Sequence, residues 1–199
     1  MSNYTRRAVA AVLSPGLAVL AALTLHGIAV AQSPPTAPAQ QASASAADAF
    51  RKAEALEQRK EYSEAMHWYR LAADQGSVDA LVAIGNLYGL RQGAQPDYAT
   101  ALVWYRKAAE RGNPEAQDDV GFFYMNGMGV QQDFAEAMRW LRKAADQGNE
   151  VAERNIGMMY LNGLGVAVNR EEALRWFRKA AAKGDSDSKE ALRMLGGGS

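Results

Sequence analysis

Apolar and polar positions recur along this chain at a fixed interval of 36 residues. In each copy, apolar residues stand at positions i, i+3, i+4, i+7 and i+8, which places them on one face of a helix. The clearest copy consists of Ala137, Trp140, Leu141, Ala144 and Ala145. The tryptophan of the pattern occurs four times, as Trp68, Trp104, Trp140 and Trp176. A fixed period of this size predicts stacked helical units that each bury an apolar face against the next unit.

Residues typical of helix ends flank each copy. Asp133 stands where an N-cap residue is expected, and Glu136 follows three positions later, as in a capping box. Gly148 comes shortly after the stripe, where a left-handed residue commonly ends a helix. A new capping residue then opens the next helix, and these residues are Ser77, Asn113, Asn149 and Asp185. The pattern therefore predicts two short helices in each unit.

The first helix of each unit contains an internal glycine. One copy carries Ala116, Val120, Gly121 and Tyr124, and the other helix glycines are Gly85 and Gly157. Glycine inside a helix costs about 1 kcal/mol relative to alanine. We therefore expect a neighbouring helix to approach closely at each glycine, with the tryptophan filling the space.

Two loops with the sequence Gly-x-Gly follow the first helices. They contain Gly127 and Gly129 in one unit, and Gly163 and Gly165 in the next. Such loops need positive φ at the glycines. No predicted strand precedes them, and the full glycine spacing of a nucleotide-binding loop is absent. We therefore predict structural turns at these loops and no phosphate site.

The combined pattern A-x-x-x-(I/V)-G-x-x-Y-x-x-G-x-G-V, then A-x-x-W and A-A-x-x-G, resembles the Sel-one-like repeat (SLR), a relative of the tetratricopeptide repeat (TPR). The resemblance extends from Ala80 to about Gly184. It implies an all-α fold, namely a right-handed α-solenoid of antiparallel helix pairs, and protein–protein scaffolding rather than catalysis. Residues 91–93 replace the first Gly-x-Gly loop, so a differently built turn is expected there. Residues 46–60 resemble the shorter TPR form, with Ala53 and Leu56 in the glycine and tyrosine places.

The N-terminal sequence predicts export. Arg6 and Arg7 precede a mostly apolar stretch over 8–30, and the small residues Ala29 and Ala31 frame a cleavage site. This is typical of a secretory signal peptide cut after Ala31, which predicts a periplasmic or secreted protein. An uncleaved membrane anchor is the alternative, although Pro15 and Gly16 interrupt the stretch.

The rest of the chain divides by composition and period. A Pro/Ala/Ser/Gln-rich segment over 32–46 is predicted to be a flexible linker, and 196–199 a flexible tail. The solenoid is predicted over 47–195. Its parts are a TPR-like unit over 47–76, repeats over about 77–112, 113–148 and 149–184, and a closing helix over 185–195.

Composition narrows the possible partners. The chain has no cysteine, so neither a lipid-anchor cysteine nor a disulfide framework is present. Loss of Arg6 and Arg7 with the signal peptide leaves 20 basic and 22 acidic residues. Such a balance gives no basic stripe for nucleic acid and no polybasic patch for a membrane surface. The predicted partner is therefore a protein or peptide, with self-association also possible.

No residue set points to catalysis, a cofactor or a metal. His67 is predicted to be a solvated surface histidine, and one histidine without cysteine makes a zinc site improbable. Ser186 and Lys189 form an S-x-x-K pair, but no companion motif of penicillin-interacting enzymes accompanies it. Asp118 and Asp119 are neighbours on a helix and point about 100° apart, so they share a proton or metal poorly. We predict a protein that is not an enzyme.

The resemblance to TPR stacks implies that the first helices line a concave groove. Groove positions then lie three residues before, one after and four after each helix glycine. They give Val82, Asn86 and Gly89; Asp118, Phe122 and Met125; Arg154, Met158 and Leu161; and, at the N-terminal end, Phe50, Glu54 and Glu57. Four of the apolar residues in this list are not needed for the core stripe, namely Phe122, Met125, Met158 and Leu161. Apolar residues without a place in the core are typical of a binding surface. The competing interpretation is that superhelical curvature buries them against the next unit.

These observations lead to one main hypothesis and two alternatives. The chain is predicted to be an exported scaffold that binds a segment of another envelope protein in the groove. Asp118 and Arg154 would flank the apolar patch and orient that segment, or pair with each other across units. The alternatives are a cell-wall or β-lactam-interacting enzyme, and a structural or self-associating envelope module.

Overall fold

Short helices make up the described part of the chain, eight of thirteen residues and a last one of nine. The computed structural model describes residues 45–90 and 95–196, and within these residues it contains nine helices and no strand. The helices are α1 (Ala46–Gln58), α2 (Tyr62–Asp74), α3 (Val78–Leu90), α4 (Tyr98–Glu110), α5 (Pro114–Asn126), α6 (Phe134–Asp146), α7 (Glu150–Asn162), α8 (Arg170–Ala182) and α9 (Ser186–Met194). The predicted signal peptide, the linker as far as residue 44, the turn at 91–93 and residues 197–199 lie outside the described residues.

The helices form antiparallel pairs that stack in chain order. The pairs are α1 with α2, α3 with α4, α5 with α6, and α7 with α8, and each second helix also packs on the first helix of the next pair. This arrangement is the predicted all-α, right-handed α-solenoid. The first helices α5 and α7 also contact each other directly. The side of the stack formed by the first helices is therefore the tighter, inner side.

The apolar stripes of the second helices supply most of the core. All five stripe residues of α2 and of α6 are buried, as the pattern predicts. The tryptophans themselves are less uniform, because Trp68 and Trp140 are buried whereas Trp104 and Trp176 are half-buried. A lysine ammonium lies about 4 Å from the ring centre of each tryptophan, and the pairs are Lys52–Trp68, Lys107–Trp104, Lys143–Trp140 and Lys179–Trp176.

The helix glycines do permit close approach, but the tryptophan does not fill the space. A Cβ on Gly121 would lie 2.6 Å from Leu141 Cγ, and one on Gly157 would lie 2.8 Å from a ring carbon of Phe177. In both units, the space beside the helix glycine is filled by the residue that follows the tryptophan. The prediction was wrong because i+3 and i+4 residues share one helix face, and the sequence alone does not say which of the two meets the glycine.

The predicted caps are present, with one difference. Asp133 and Asn169 accept hydrogen bonds from the backbone amides three residues on, and Gly148 adopts φ +89° after α6. The reciprocal half of the capping box does not form. The Glu136 carboxylate instead accepts a hydrogen bond from Trp140 Nε1 at 2.7 Å and pairs with Arg139. The glutamate therefore fixes the tryptophan ring rather than the helix start.

The Gly-x-Gly loops join one unit to the preceding unit. All four loop glycines have φ between +66° and +69°, as predicted. A Cβ on Gly129 would collide with the backbone of Tyr98 and Ala99, at the start of α4 in the preceding unit. Gly165 lies in the same way against Phe134 at the start of α6. These glycines are needed for space as well as for φ.

A repeated polar contact also links neighbouring units. Arginines of the second helices donate to tyrosine hydroxyls of the following first helix. The pairs are Arg70–Tyr88 at 3.0 Å, Arg106–Tyr124 at 2.5 Å and Arg142–Tyr160 at 3.3 Å. The contact recurs at the period of the sequence, at the three interfaces that α3, α5 and α7 form with the preceding second helix.

The closing helix α9 is the first helix of an incomplete unit. Ser188 stands 36 residues after Ala152 and is fully buried, as are the small residues at this place on α3, α5 and α7, namely Ala80, Ala116 and Ala152. Leu192 stands in the place of Ile156 and is also buried. Lys189, Glu190 and Arg193 are exposed, as expected for a cap.

Charged side chains are buried between α5, α7 and α9. Asp118 is buried, and its Oδ1 accepts a hydrogen bond from Asn155 Nδ2 at 2.9 Å. Burial raises the pKa of Asp118 to about 6, against the opposing effects of the Asn155 hydrogen bond and the Arg154 charge. Burial and the nearby carboxylates of Asp118 and Glu115 raise the pKa of Asp119 to about 8.

We expect Gly157→Ala to destabilise the fold by about 1–2 kcal/mol, because the overlap with the fully buried Phe177 outweighs the better helix propensity of alanine. Gly89→Ala is the matched control, since its Cβ would meet only ordinary contacts at 3.7 Å. That variant should be neutral or stabilising by up to about 1 kcal/mol. Urea denaturation measures both, and equal effects of the two substitutions would contradict the close-approach role of Gly157.

We expect stability to fall as the pH rises from about 5 to 8.5. Both aspartates have folded pKa values above the unfolded value, so their contribution is complete at low pH and is lost as the pH passes about 6 and then 8. The loss should be about 1–3 kcal/mol. Asp119→Asn should remove most of it, whereas Asp146→Asn at an exposed site should not. Urea denaturation across this pH range tests the expectation, and a pH-independent wild type would refute it.

Candidate functional site

The face of the first helices is the candidate site, and we call it the groove. It consists of the positions predicted above on α1, α3, α5 and α7, and these positions share one face of each helix because they are three or four residues apart. Contact between α5 and α7 places the groove on the inner side of the stack. Its two ends differ in chemistry.

The C-terminal half of the groove is apolar. Met158 is 41% exposed, and Phe122, Met125 and Leu161 are half-buried. The partly buried side chains pack against the edges of the core clusters formed by neighbouring units. The exposed Met158 side chain beside three half-buried apolar side chains leaves a surface that water contacts and that a partner could cover.

The N-terminal half is polar. Glu54 is exposed, Glu57 and Asn86 are half-buried, and Phe50 and Val82 lie partly covered at the margin of the core. Tyr69 Oη donates to Glu57 Oε2 at 2.5 Å, and Tyr105 Oη donates to Asn86 Oδ1 at 2.7 Å. Both hydroxyls therefore reach from second helices to groove side chains.

A cavity of about 370 Å³ opens at this polar end. It lies beside the turn between α1 and α2, and its floor includes the Tyr69–Glu57 contact. The lining residues are Glu54, Glu57, Gln58, Lys60, Tyr62 and Tyr69.

Asp118 and Arg154 lie in the groove register but are largely covered. Arg154 is buried and pairs with Asp185, with Asp187 Oδ2 3.5 Å away. It pairs with these two residues around the start of α9 rather than with Asp118, which bonds to Asn155. The pair therefore fastens the closing helix to α7 and neutralises the one basic groove position.

A second charge pair, whose acidic member is buried, was not predicted from the sequence. Glu153 is buried, and its Oε1 lies 2.8 Å from Lys183 Nζ, which also donates to the Gly148 carbonyl. Glu153 is the residue before Arg154, at the place that Gln117 occupies one unit earlier. A charged residue at a position that other units fill with Gln or Leu was the available signal.

The tyrosines that reach the groove were also missed as groove contributors. Tyr69 and Tyr105 were assigned to the core stripe, and their rings are indeed buried. The signal was the choice of residue at that place, which is tyrosine in the first two units and Leu141 and Phe177 in the last two.

The residues examined as catalytic or metal-binding candidates do not come together in one site. His67 is exposed with its ring edge-on to Trp68. Lys189 Nζ donates to the Gly184 carbonyl at 3.4 Å, whereas Ser186 Oγ contacts Asp187, so the serine and lysine do not form a nucleophile–base pair. Within 45–90 and 95–196, no group of His, Asp and Glu has the geometry of a metal site. No helix in the same ranges has the length and apolar character needed to cross a bilayer.

Solved structures with this architecture include two bacterial proteins. A protective antigen of uropathogenic Escherichia coli with an SLR fold is 35% identical, with a TM-score of 0.71 over 77% of this chain and 34% of that one. A Sel1 repeat protein of Oxalobacter formigenes is 30% identical, with a TM-score of 0.69 over 77% of this chain and 62% of that one. This chain therefore spans less than two thirds of either protein.

An immunity protein of Pseudomonas aeruginosa is 26% identical, with a TM-score of 0.51 over 80% of this chain and 59% of that one. Among curated proteins, none matches the chain. The Sel1 repeat model matches residues 56–77, 78–113, 114–149 and 151–185, which together exceed half of the sequence. The chain therefore belongs to the Sel1 repeat family, whose members generally act as scaffolds that bind other proteins.

Proposed function

We propose that this chain is an exported, non-enzymatic scaffold that binds an extended or helical segment of another cell-envelope protein in the groove. The observation that carries the proposal is the apolar surface formed by Phe122, Met125, Met158 and Leu161 on the inner side of the stack. These side chains lie at the margin of the core, and Met158 is exposed although it belongs to a regular, well-packed helix.

Several features support a peptide as the occupant. The groove is formed by parallel first helices on a rigid stack, which presents side chains in a row along the stack axis. Methionine and leucine adapt to varied apolar partners, and a phenylalanine beside them supplies a large anchoring surface. The equal numbers of acidic and basic residues do not favour nucleic acid.

Export rests on the N-terminal sequence. The basic pair Arg6 and Arg7, the apolar stretch over 8–30 and the Ala29-Val30-Ala31 site have the order of a secretory signal. Because the chain has no cysteine, the exported protein would be held by its core alone, without disulfides. This order of features supports the proposed export to the periplasm or the medium.

A self-associating module is a second candidate. Met194 stands 36 residues after Met158 and is 77% exposed at the open end of the stack. An apolar residue at the end of a solenoid favours end-to-end contact between copies. Light scattering of the purified protein distinguishes a monomer from such assemblies.

We expect a photo-crosslinking residue at Met158 to capture one dominant envelope protein in intact cells. The same residue at the exposed Val103 on α4 should give no such adduct, because that site faces away from the groove. Mass spectrometry identifies the captured protein. Phe122→Ala combined with Met158→Ala should then weaken binding of that purified partner about tenfold or more.

Two results would contradict the assignment of the groove as the binding site. Similar adducts from Met158 and Val103, or an unchanged affinity of the double variant with an unaltered circular dichroism spectrum, would show that the groove is not the binding site.

We expect the cell-envelope form of the protein to begin at Gln32, because cleavage after Ala31 removes the signal peptide. Intact-mass measurement of protein from the periplasm or medium checks this directly. Replacing both cleavage-site residues, Ala29→Leu with Ala31→Leu, should leave the uncleaved precursor in the membrane fraction. Ala47→Leu is the matched control and should not affect cleavage. A full-length protein in the cytosol would contradict export.

A further inference from the structure

We propose that the groove takes a segment with a basic side chain at one end and two large apolar side chains at the other, the basic end lying on α1. The inference rests on the proposed function, since it specifies the chemistry of the segment bound in that groove. It follows from an asymmetry between the two ends of the stack.

The apolar end is a continuous row. The residues one position after the helix-glycine place are Phe122 on α5, Met158 on α7 and Met194 on α9. Exposure increases along the row, from the half-buried Phe122 to 41% for Met158 and 77% for Met194. Three successive first helices thus present an apolar side chain at the same register.

At the opposite end of the stack, the corresponding positions on α1 are glutamates. Glu54 takes the place of Phe122 on α1, and Glu57 takes that of Met125. Both carboxylates line the cavity of about 370 Å³. Tyr69 Oη donates to one oxygen of Glu57, which orients that carboxylate across the cavity.

The second helices reinforce this asymmetry. The residue after each tryptophan lies under the groove, and it is Tyr69 and then Tyr105 at the acidic end. Their hydroxyls bond to Glu57 and Asn86, so the floor of this half presents polar groups. At the apolar end the same place holds Leu141 and Phe177, which add no polar atom.

Cations near the groove do not cancel the acidic end. Arg154, the basic groove position, is buried in its pair with Asp185 and lies at the other end of the stack. Lys60 borders the cavity but lies beyond ion-pair distance of either glutamate among the described residues. Arg51, one turn before Glu54, is paired with Asp48. Among the residues that line the cavity, two carboxylates therefore face one ammonium, which favours a cationic group of the partner.

The spacing of the helices sets the spacing in the segment. Directly packed helices lie roughly 8–10 Å apart, and successive first helices are at least that far apart, so α1 is at least roughly 16 Å from α5 and 24 Å from α7. An extended chain rises roughly 3.3 Å per residue. The basic residue should therefore stand at least roughly five residues from the first apolar anchor and at least seven from the second.

Selection of peptides on the purified chain tests the inference. The immobilised chain is offered a phage library of random dodecapeptides, in parallel with Glu54→Gln/Glu57→Gln and with Phe122→Ala/Met158→Ala. Wild type should enrich peptides with Lys or Arg at the stated spacing from two apolar residues. The glutamine variant should keep the apolar preference and lose the basic one. Glu64→Gln/Glu110→Gln, at exposed sites on second helices, is the matched control and should select as wild type does.

A synthetic copy of the most enriched peptide makes the test quantitative. It should bind Glu54→Gln/Glu57→Gln about three- to tenfold more weakly than wild type, as expected for two solvent-facing ion pairs. Replacing the basic residue of the peptide by glutamine should cost the same factor on wild type and almost nothing on the variant. Glutamine keeps the acceptor for Tyr69, so the fold should be unaffected.

The two possible failures are distinguishable. Enriched peptides without a basic preference, or a basic preference that survives in Glu54→Gln/Glu57→Gln, would overturn this inference and leave the binding groove in place. No enrichment on wild type, equal enrichment on Phe122→Ala/Met158→Ala, or a wild-type dimer in light scattering that Phe122→Ala/Met158→Ala dissociates would overturn the proposed function itself.

Discussion

The close approach of two helices at the first-helix glycine is the contact on which the stack depends. At Gly85, Gly121 and Gly157, the residue after a tryptophan lies where a Cβ would be. This contact sets the distance between the helices of a pair, and the pair in turn sets where the Gly-x-Gly loop meets the preceding unit. Since the contact recurs every 36 residues, the groove inherits a regular spacing from it.

The sequence predicts the fold well because its period and its local patterns agree. Alanines at the stripe positions, N-caps such as Asn113 and the positive-φ glycines each follow from rules that depend on nearby residues only. Such rules do not predict which residue packs against each helix glycine, because Trp140 and Leu141 share one helix face. Only the packed structure shows that Leu141 meets Gly121. The fate of Arg154 likewise depends on Asp185, 31 residues away, which no local pattern connects to it.

The sequence predicts which helix face the candidate site occupies, but it does not predict that one half of that face is polar. Register from the helix glycines places Phe122 and Met158 on the inner side, since i, i+3 and i+4 positions of a helix share one face. The polar character of the other half depends on Tyr69 and Tyr105, whose hydroxyls reach the groove from buried rings. A tyrosine can pack its ring in the core while its hydroxyl forms a hydrogen bond at the surface. A hydrophobic pattern indicates only the buried ring.

Buried charge at one end of the stack has a consequence for local motion. The nine-residue α9 lacks a second helix of its own, and Arg154 with Asp185 and Asp187 joins it to α7. In a stack of nearest-neighbour contacts, the terminal element opens at a lower free energy than the middle. Amide hydrogens of α9 should therefore exchange before those of α5. Each opening breaks the Arg154–Asp185 pair but returns both charges to water, so the pair adds only its small net free energy to the stability of this end. The end of the stack next to the exposed Met158 is thus the part that opens most readily.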